Sequence, residues 1–99
     1  MIRHIALIKY PDPDRAGFKE EVEALLRPFA AGIPGLRDFH WGWDVSGRSR
    51  GYTLGLVMAF DDPEQLRAYT PHPVHQAFVQ WNARQGGEVL AFDFPFDNL

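Results

Sequence analysis

The sequence predicts an α+β fold, a four-stranded antiparallel sheet carrying its helices on one face. Three observations predict it. The apolar spacing switches repeatedly between a period of 2 and a period of 3.6 along the chain. Clusters of proline and glycine separate the periodic stretches. The length, 99 residues with 45% hydrophobic and 23% charged, suits one domain around one core.

Ile2 to Tyr10 reads as the first strand. Ile2, His4, Ala6, Ile8 and Tyr10 share one face, and Arg3, Ile5, Leu7 and Lys9 the other. Pro11-Asp12-Pro13-Asp14 is a turn. A helix follows with Phe18, Val22, Leu25, Leu26 and Phe29 at helical spacing, weakened in its last turn by Pro28 and ended by Gly32 and Pro34-Gly35. Leu36 to Val45 reads as the second strand, with Phe39, Trp41, Trp43 and Val45 on one face and Asp38, His40, Gly42 and Asp44 on the other. Ser46 to Gly51 is a polar, basic loop in which Arg48 and Arg50 are expected in solvent. Tyr52 to Phe60 is the third strand, with Tyr52, Leu54, Leu56, Met58 and Phe60 on one face.

Asp62-Pro63-Glu64-Gln65 is a helix start: Asp at the N-cap, Pro at the first helical position, Gln two residues further on. This helix ends near Tyr69, and Pro71 and Pro73 break the chain. A third helix begins near Pro73, carries Val74, Phe78 and Trp81 on one stripe, and stops at Gly86-Gly87. Val89 to Phe94 is the last strand. The order β-α-β-β-α-α-β is a ferredoxin-like plan with a split second helix. Helices on one face leave the other face of the sheet bare. Both registers of the first and third strands carry apolar residues, so that face is expected to bind a second copy, sheet against sheet, as a homodimer.

Composition excludes several functions. Ten Lys and Arg against thirteen Asp and Glu give a net charge of −3, the wrong sign for a nucleic-acid footprint or an anionic membrane surface. There is no cysteine, which removes disulfides, thiolate metal sites and a Cys nucleophile. No stretch approaches about 18 consecutive apolar residues. The N-terminus runs straight into a strand pattern without the shape of a signal peptide, so the cytoplasm is the expected compartment.

Chemistry concentrates in Tyr69-Thr70-Pro71-His72-Pro73-Val74-His75. Histidine both takes and gives a proton near neutral pH. His75 falls in the first turn of a helix, beside an apolar stripe, where the positive helix end disfavours its imidazolium. Tyr69 could hydrogen-bond a carbonyl or an enolate. The same residues also have a structural reading, as satisfied polar tips at a helix start. His72 and His75 at i, i+3 fall short of a metal site: Pro73 sets His72 before the helix, and no Cys or carboxylate cluster stands near in sequence. No metal and no organic cofactor is expected. His4 lies on an apolar strand face, the position of a core histidine unless that face lines a cavity. No glycine-rich phosphate loop is present.

The residues that carry a family likeness span Ile2 to about Phe94. They are His4, Ile33-Pro34-Gly35, Gly51-Tyr52, Phe60, Tyr69-x-x-His72-Pro73-x-His75 and Asp93. In order and spacing they resemble the stress-responsive dimeric A/B barrel (Dabb) family, and Trp41-Gly42-Trp43-Asp44-Val45 is similar to its plant polyketide cyclase branch. The resemblance implies a homodimer whose sheets form a dimeric α/β barrel. It implies cofactor-free aldol cyclisation, with His75 removing a proton from carbon and Tyr69 holding the carbonyl that becomes an enolate. It puts His4, Ile8, Leu54, Leu56 and Phe78 on the wall of a pocket for a small apolar carbonyl compound, and Leu26, His72 and Trp81 are further candidates for that wall. Leu54 and Leu26 replace a histidine and a tyrosine of the cyclase branch, removing two polar handles. Some members hold a metal through backbone carbonyls near the segment matching Ile33 to Phe39, which leaves no side-chain signature.

Three functions follow: a cofactor-free acid–base enzyme of polyketide cyclase type, a non-catalytic stress-response or ligand-binding dimer, and a cofactor-free monooxygenase. The third rests on Trp41, Trp43 and Trp81 near a pocket.

Overall fold

The elements run β1 (Ile2–Lys9), α1 (Phe18–Leu26), α2 (Phe29–Gly32), β2 (Leu36–Trp43), β3 (Tyr52–Phe60), α3 (Pro63–Tyr69), α4 (Pro73–Arg84) and β4 (Glu88–Pro95). The computed structural model describes residues 1–97. The sheet order is β2-β3-β1-β4 and every pairing is antiparallel. This is the ferredoxin-like plan expected from the sequence. The helices cover one face, where Phe18, Val22, Leu26, Phe29, Phe78 and Trp81 meet Ile8, Leu54, Leu56, Met58 and Phe60 in one core. Burying each of these larger side chains contributes about 1.5–3 kcal/mol, offset by the ordering of the chain.

Local chemistry sets the boundaries. The expected helix through Phe29 is two pieces, because Pro28 has no N–H for the ladder; α1 stops at Leu26 and Pro28 caps α2. Strand β2 stops at Trp43 rather than Val45. The Asp44 carboxylate accepts from Ser46 Oγ at 2.8 Å and from the Gly47 N–H at 2.9 Å, which turns the chain and leaves Val45 fully exposed. Asp62 caps α3 as read, accepting from the Gln65 N–H at 2.9 Å. Strand β4 is one residue longer at each end than its alternation indicated.

Strand β2 also contains a bulge that alternation alone did not reveal. Arg37 pairs with Ala59 and His40 with Val57, so Asp38 and Phe39 together stand opposite Met58. Asp38 takes a φ of 52° there. The extra residue brings Leu36 onto the same core-packed side as Phe39, Trp41 and Trp43.

The open face of the sheet is apolar along one edge. Leu7, Leu90, Phe92 and Phe94 are exposed, and the β1–β4 register sets Leu7 opposite Leu90 and Ile5 opposite Phe92. Strand β4 lies at the sheet edge and is exposed along its whole length. Helix α4 packs against α1, so the helix-side surface of β4 is left without a covering helix.

Candidate functional site

The uncovered strip becomes a cleft of about 460 Å³ between α3–α4 and the β1–β4 pair. One wall is His4, Ala6 and Ile8 of β1 with Val89, Ala91 and Asp93 of β4. The other is Leu66, Tyr69 and Thr70 with His75, Phe78, Val79, Asn82 and Ala83 of α4. The volume falls within the range of small-molecule sites. Polarity is sorted along its length. His4, Tyr69, Thr70, His75 and Asp93 gather at one end, while Ile8, Phe78, Val79 and Val89 line the other.

Local sequence explains the polar end. Thr70 ends α3, and Pro71 and Pro73 redirect the chain within three residues into α4. The His72 side chain caps α4, its Nδ1 accepting the Val74 N–H at 3.2 Å. Tyr69 and His75 are thereby brought into contact across the junction, with ring centroids 4.0 Å apart. His75 Nδ1 lies 2.9 Å from the Thr70 carbonyl oxygen, which can only accept, so Nδ1 carries the proton and Nε2 keeps its lone pair. Burial is the main cause that pushes the His75 imidazole below its ordinary value; repulsion from His4 and His72 adds to it, against the opposing bond to Thr70. The helix end invoked from the sequence is therefore not the main agent.

Tyr69 is buried against Phe60 and Phe29, with centroids 5.2 and 6.3 Å away. Burial alone raises its hydroxyl, and no hydrogen bond contributes to the shift. The phenol is held protonated and stands as a donor. His4 is 5.8 Å from Tyr69, ring to ring, and its Nδ1 is hydrogen-bonded to the Asp93 carboxylate directly opposite on β4.

Of the residues expected on the pocket wall, His4, Ile8 and Phe78 line this cleft with Tyr69 and His75. Leu26, Leu54 and Leu56 sit in the packed core between α1 and β3, and His72 is turned to its capping bond. Trp81 is buried in the core, its indole N–H donating to Glu21 on α1 at 3.1 Å. Trp41 and Trp43 pack against the opposite part of the core. Asn82 and Asp93 line the cleft without having been placed there from sequence. The signals were present: Asp93 alternates onto the His4 side of the sheet, and Asn82 follows Phe78 by one helical turn. Among the described residues no three His, Cys, Asp or Glu side chains gather in a way that could hold a metal ion, and no helix is long and apolar enough to cross a membrane.

Comparison with known proteins agrees with this architecture. The chain is 27% identical over 95 residues to olivetolic acid cyclase of Cannabis sativa, covering 94% of each chain. It is 37% identical over 82 residues to an uncharacterized protein of Streptomyces coelicolor, covering 80% of this chain and 84% of that one. A dimeric ferredoxin-like protein of unknown function from Thermobifida fusca superposes with a TM-score of 0.82 at 30% identity, over 96% of this chain and 90% of that one. The sequence profile of the Stress responsive A/B Barrel Domain matches residues 2–96. The chain belongs to the stress-responsive A/B barrel domain family.

Proposed function

We propose that this protein is a homodimeric, cofactor-free acid–base enzyme that closes a small carbonyl compound by aldol cyclisation, the substrate being of polyketide type. The observation that carries this is the contact of Tyr69 with His75 at the polar end of an apolar cleft. His75 Nε2 takes a proton from a carbon beside a carbonyl. The Tyr69 hydroxyl donates to that carbonyl oxygen as it becomes an enolate. The enolate carbon bonds to a second carbonyl of the same chain, whose oxygen takes up a proton. The likeness to olivetolic acid cyclase supports a cyclisation. The exposed row Leu7, Leu90, Phe92 and Phe94 supports the dimer.

A linear β-polyketone thioester, followed by chromatography and mass spectrometry, tests the reading. Wild-type protein accumulates the cyclised product above the spontaneous rate, and His75→Gln and Tyr69→Phe each lose it while keeping fold and assembly. Equal turnover in both variants sinks the assignment. A second reading, a ligand-binding dimer without turnover, is favoured by the largely apolar far end of the cleft, Ile8, Phe78, Val79 and Val89. It predicts ligand binding without product and unchanged by His75→Gln.

A further inference from the structure

We propose that His4, paired with Asp93, is a second proton-transfer residue of this cleft, a general acid working opposite His75 as the base. The proposal rests on the acid–base reading above and supplies the proton that the reading leaves without a source.

The two imidazoles share one cleft but differ in what their Nδ1 atoms meet. His75 faces a neutral carbonyl, Thr70 O, and is half-buried on α4. His4 faces a carboxylate, Asp93, opposite it in the β1–β4 register. A carboxylate favours the charged ring, whereas at His75 burial disfavours it against the opposing bond to the Thr70 carbonyl. The groups packed round His4 are Asp93 from β4, Tyr69 from α3 and His75 from α4; Met58, its partner on β3, carries no charge. Asp93 is therefore the one anionic side chain in the set, and it is committed to His4. Two titratable groups set apart by their surroundings are the usual arrangement of an acid and a base in one site.

The proton balance follows. His75 Nε2 removes the proton from carbon and becomes charged. The electron pair forms the new carbon–carbon bond, and the acceptor carbonyl opens to an alkoxide. His4 gives its Nε2 proton to that oxygen and becomes neutral. One proton has passed from the substrate to His75 and one from His4 to the product. Exchange with water restores both rings, and no oxidant or metal enters. Asp93 touches His4 and acts by positioning it and stabilising its charge.

Histidine-detected two-bond ¹H–¹⁵N spectra of the full-length ¹⁵N-labelled protein, followed across pH, test the pair without any substrate. His75 is expected to show its proton on Nδ1 once neutral. His4→Gln is expected to raise the His75 midpoint, because it removes a neighbour that repels the His75 imidazolium. If His4→Gln leaves the His75 midpoint where it was, the pair is overturned. This holds whether or not the protein turns over a polyketone. With the β-polyketone thioester, Asp93→Asn lowers kcat about tenfold or more and moves the high-pH limb, where the acid is lost, to lower pH. An unmoved limb counts against His4 as the acid, whereas full activity in His75→Gln counts against the parent reading alone.

Discussion

His75 donates from Nδ1 to the carbonyl of Thr70 at 2.9 Å, tying the first turn of α4 to the residue that ends α3. That bond fixes which ring nitrogen is free, and the surrounding burial disfavours a second proton. The pH dependence follows in sign. In the unfolded chain the imidazole titrates at about 6.5. In the folded chain its value is lower. As pH falls through about 6.5 the unfolded state gains a proton that the folded state refuses, so stability is lost until the folded value is passed. Urea denaturation of wild type and His75→Gln at several pH values between about 7.5 and 5 checks this. The advantage of wild type over the variant should shrink as pH falls; a constant difference contradicts the linkage.

Tyr69→Phe separates chemistry from packing. The hydroxyl is buried and its shift comes from burial alone. Removing it keeps the ring against Phe29, Phe60 and His75 and costs no native hydrogen bond. Stability should stay within about 0.5 kcal/mol or rise, while cyclisation falls by about tenfold or more. A loss of several kcal/mol would mean the hydroxyl has a structural partner.

Tyr10→Phe should behave in the opposite way. The Tyr10 hydroxyl donates to Asn82 Oδ1, and both residues are buried. Deleting the donor leaves the Asn82 carbonyl oxygen without it inside the protein. The expected cost is about 1–3 kcal/mol in the free energy of unfolding.

Phe92→Glu addresses the open face. Phe92 is 63% exposed, with Leu90 and Phe94 on the same side of β4 and Leu7 across the register from Leu90. A twofold interface would bring two new carboxylates into apolar surroundings, and like charges so placed cost several kcal/mol. Light scattering should report a dimer for wild type and monomer for the variant at micromolar concentration. Wild-type monomer would remove the dimer.

Gly35→Ala probes the turn before β2. Gly35 has a φ of 78°, and a Cβ built there would lie 2.3 Å from Gln65 Oε1. Left-handed backbone costs a non-glycine residue about 1–2 kcal/mol. Gln65 is a flexible side chain that can move aside, so the measured loss should be close to that backbone term alone.

The strands, the split helix and the cap at Asp62 were legible in the sequence because each depends on neighbours within a few residues. Period, proline position and capping chemistry are local signals. Tyr69 and His75 were legible for the same reason, lying on either side of one junction. The placements that required the fold were those set by distance. Leu26, Leu54 and Leu56 look like pocket wall on an apolar face, yet that face is shared by core and cleft, and only the packing of the helices on the sheet decides which part each residue joins. Asp93 has no chemical context in sequence, since its partner His4 stands at the other end of the chain. The bulge at Asp38 and Phe39 was hidden because alternation resumes normally on both sides of it.

The lengthwise sorting of the cleft separates two tasks that many sites entangle. The polar groups hang from a proline-braced junction and the β1–β4 register, both fixed by the backbone. Val79, Ala83, Val89 and Ala91 lie further along and are exposed to solvent. Changing them leaves the packed interior untouched, because none belongs to it. Exposed positions of this kind usually tolerate substitution within about 0.5 kcal/mol. Descendants of this scaffold are thus free to alter the length and bulk of the open end of the cleft, one surface residue at a time, while keeping the same Tyr69–His75 junction.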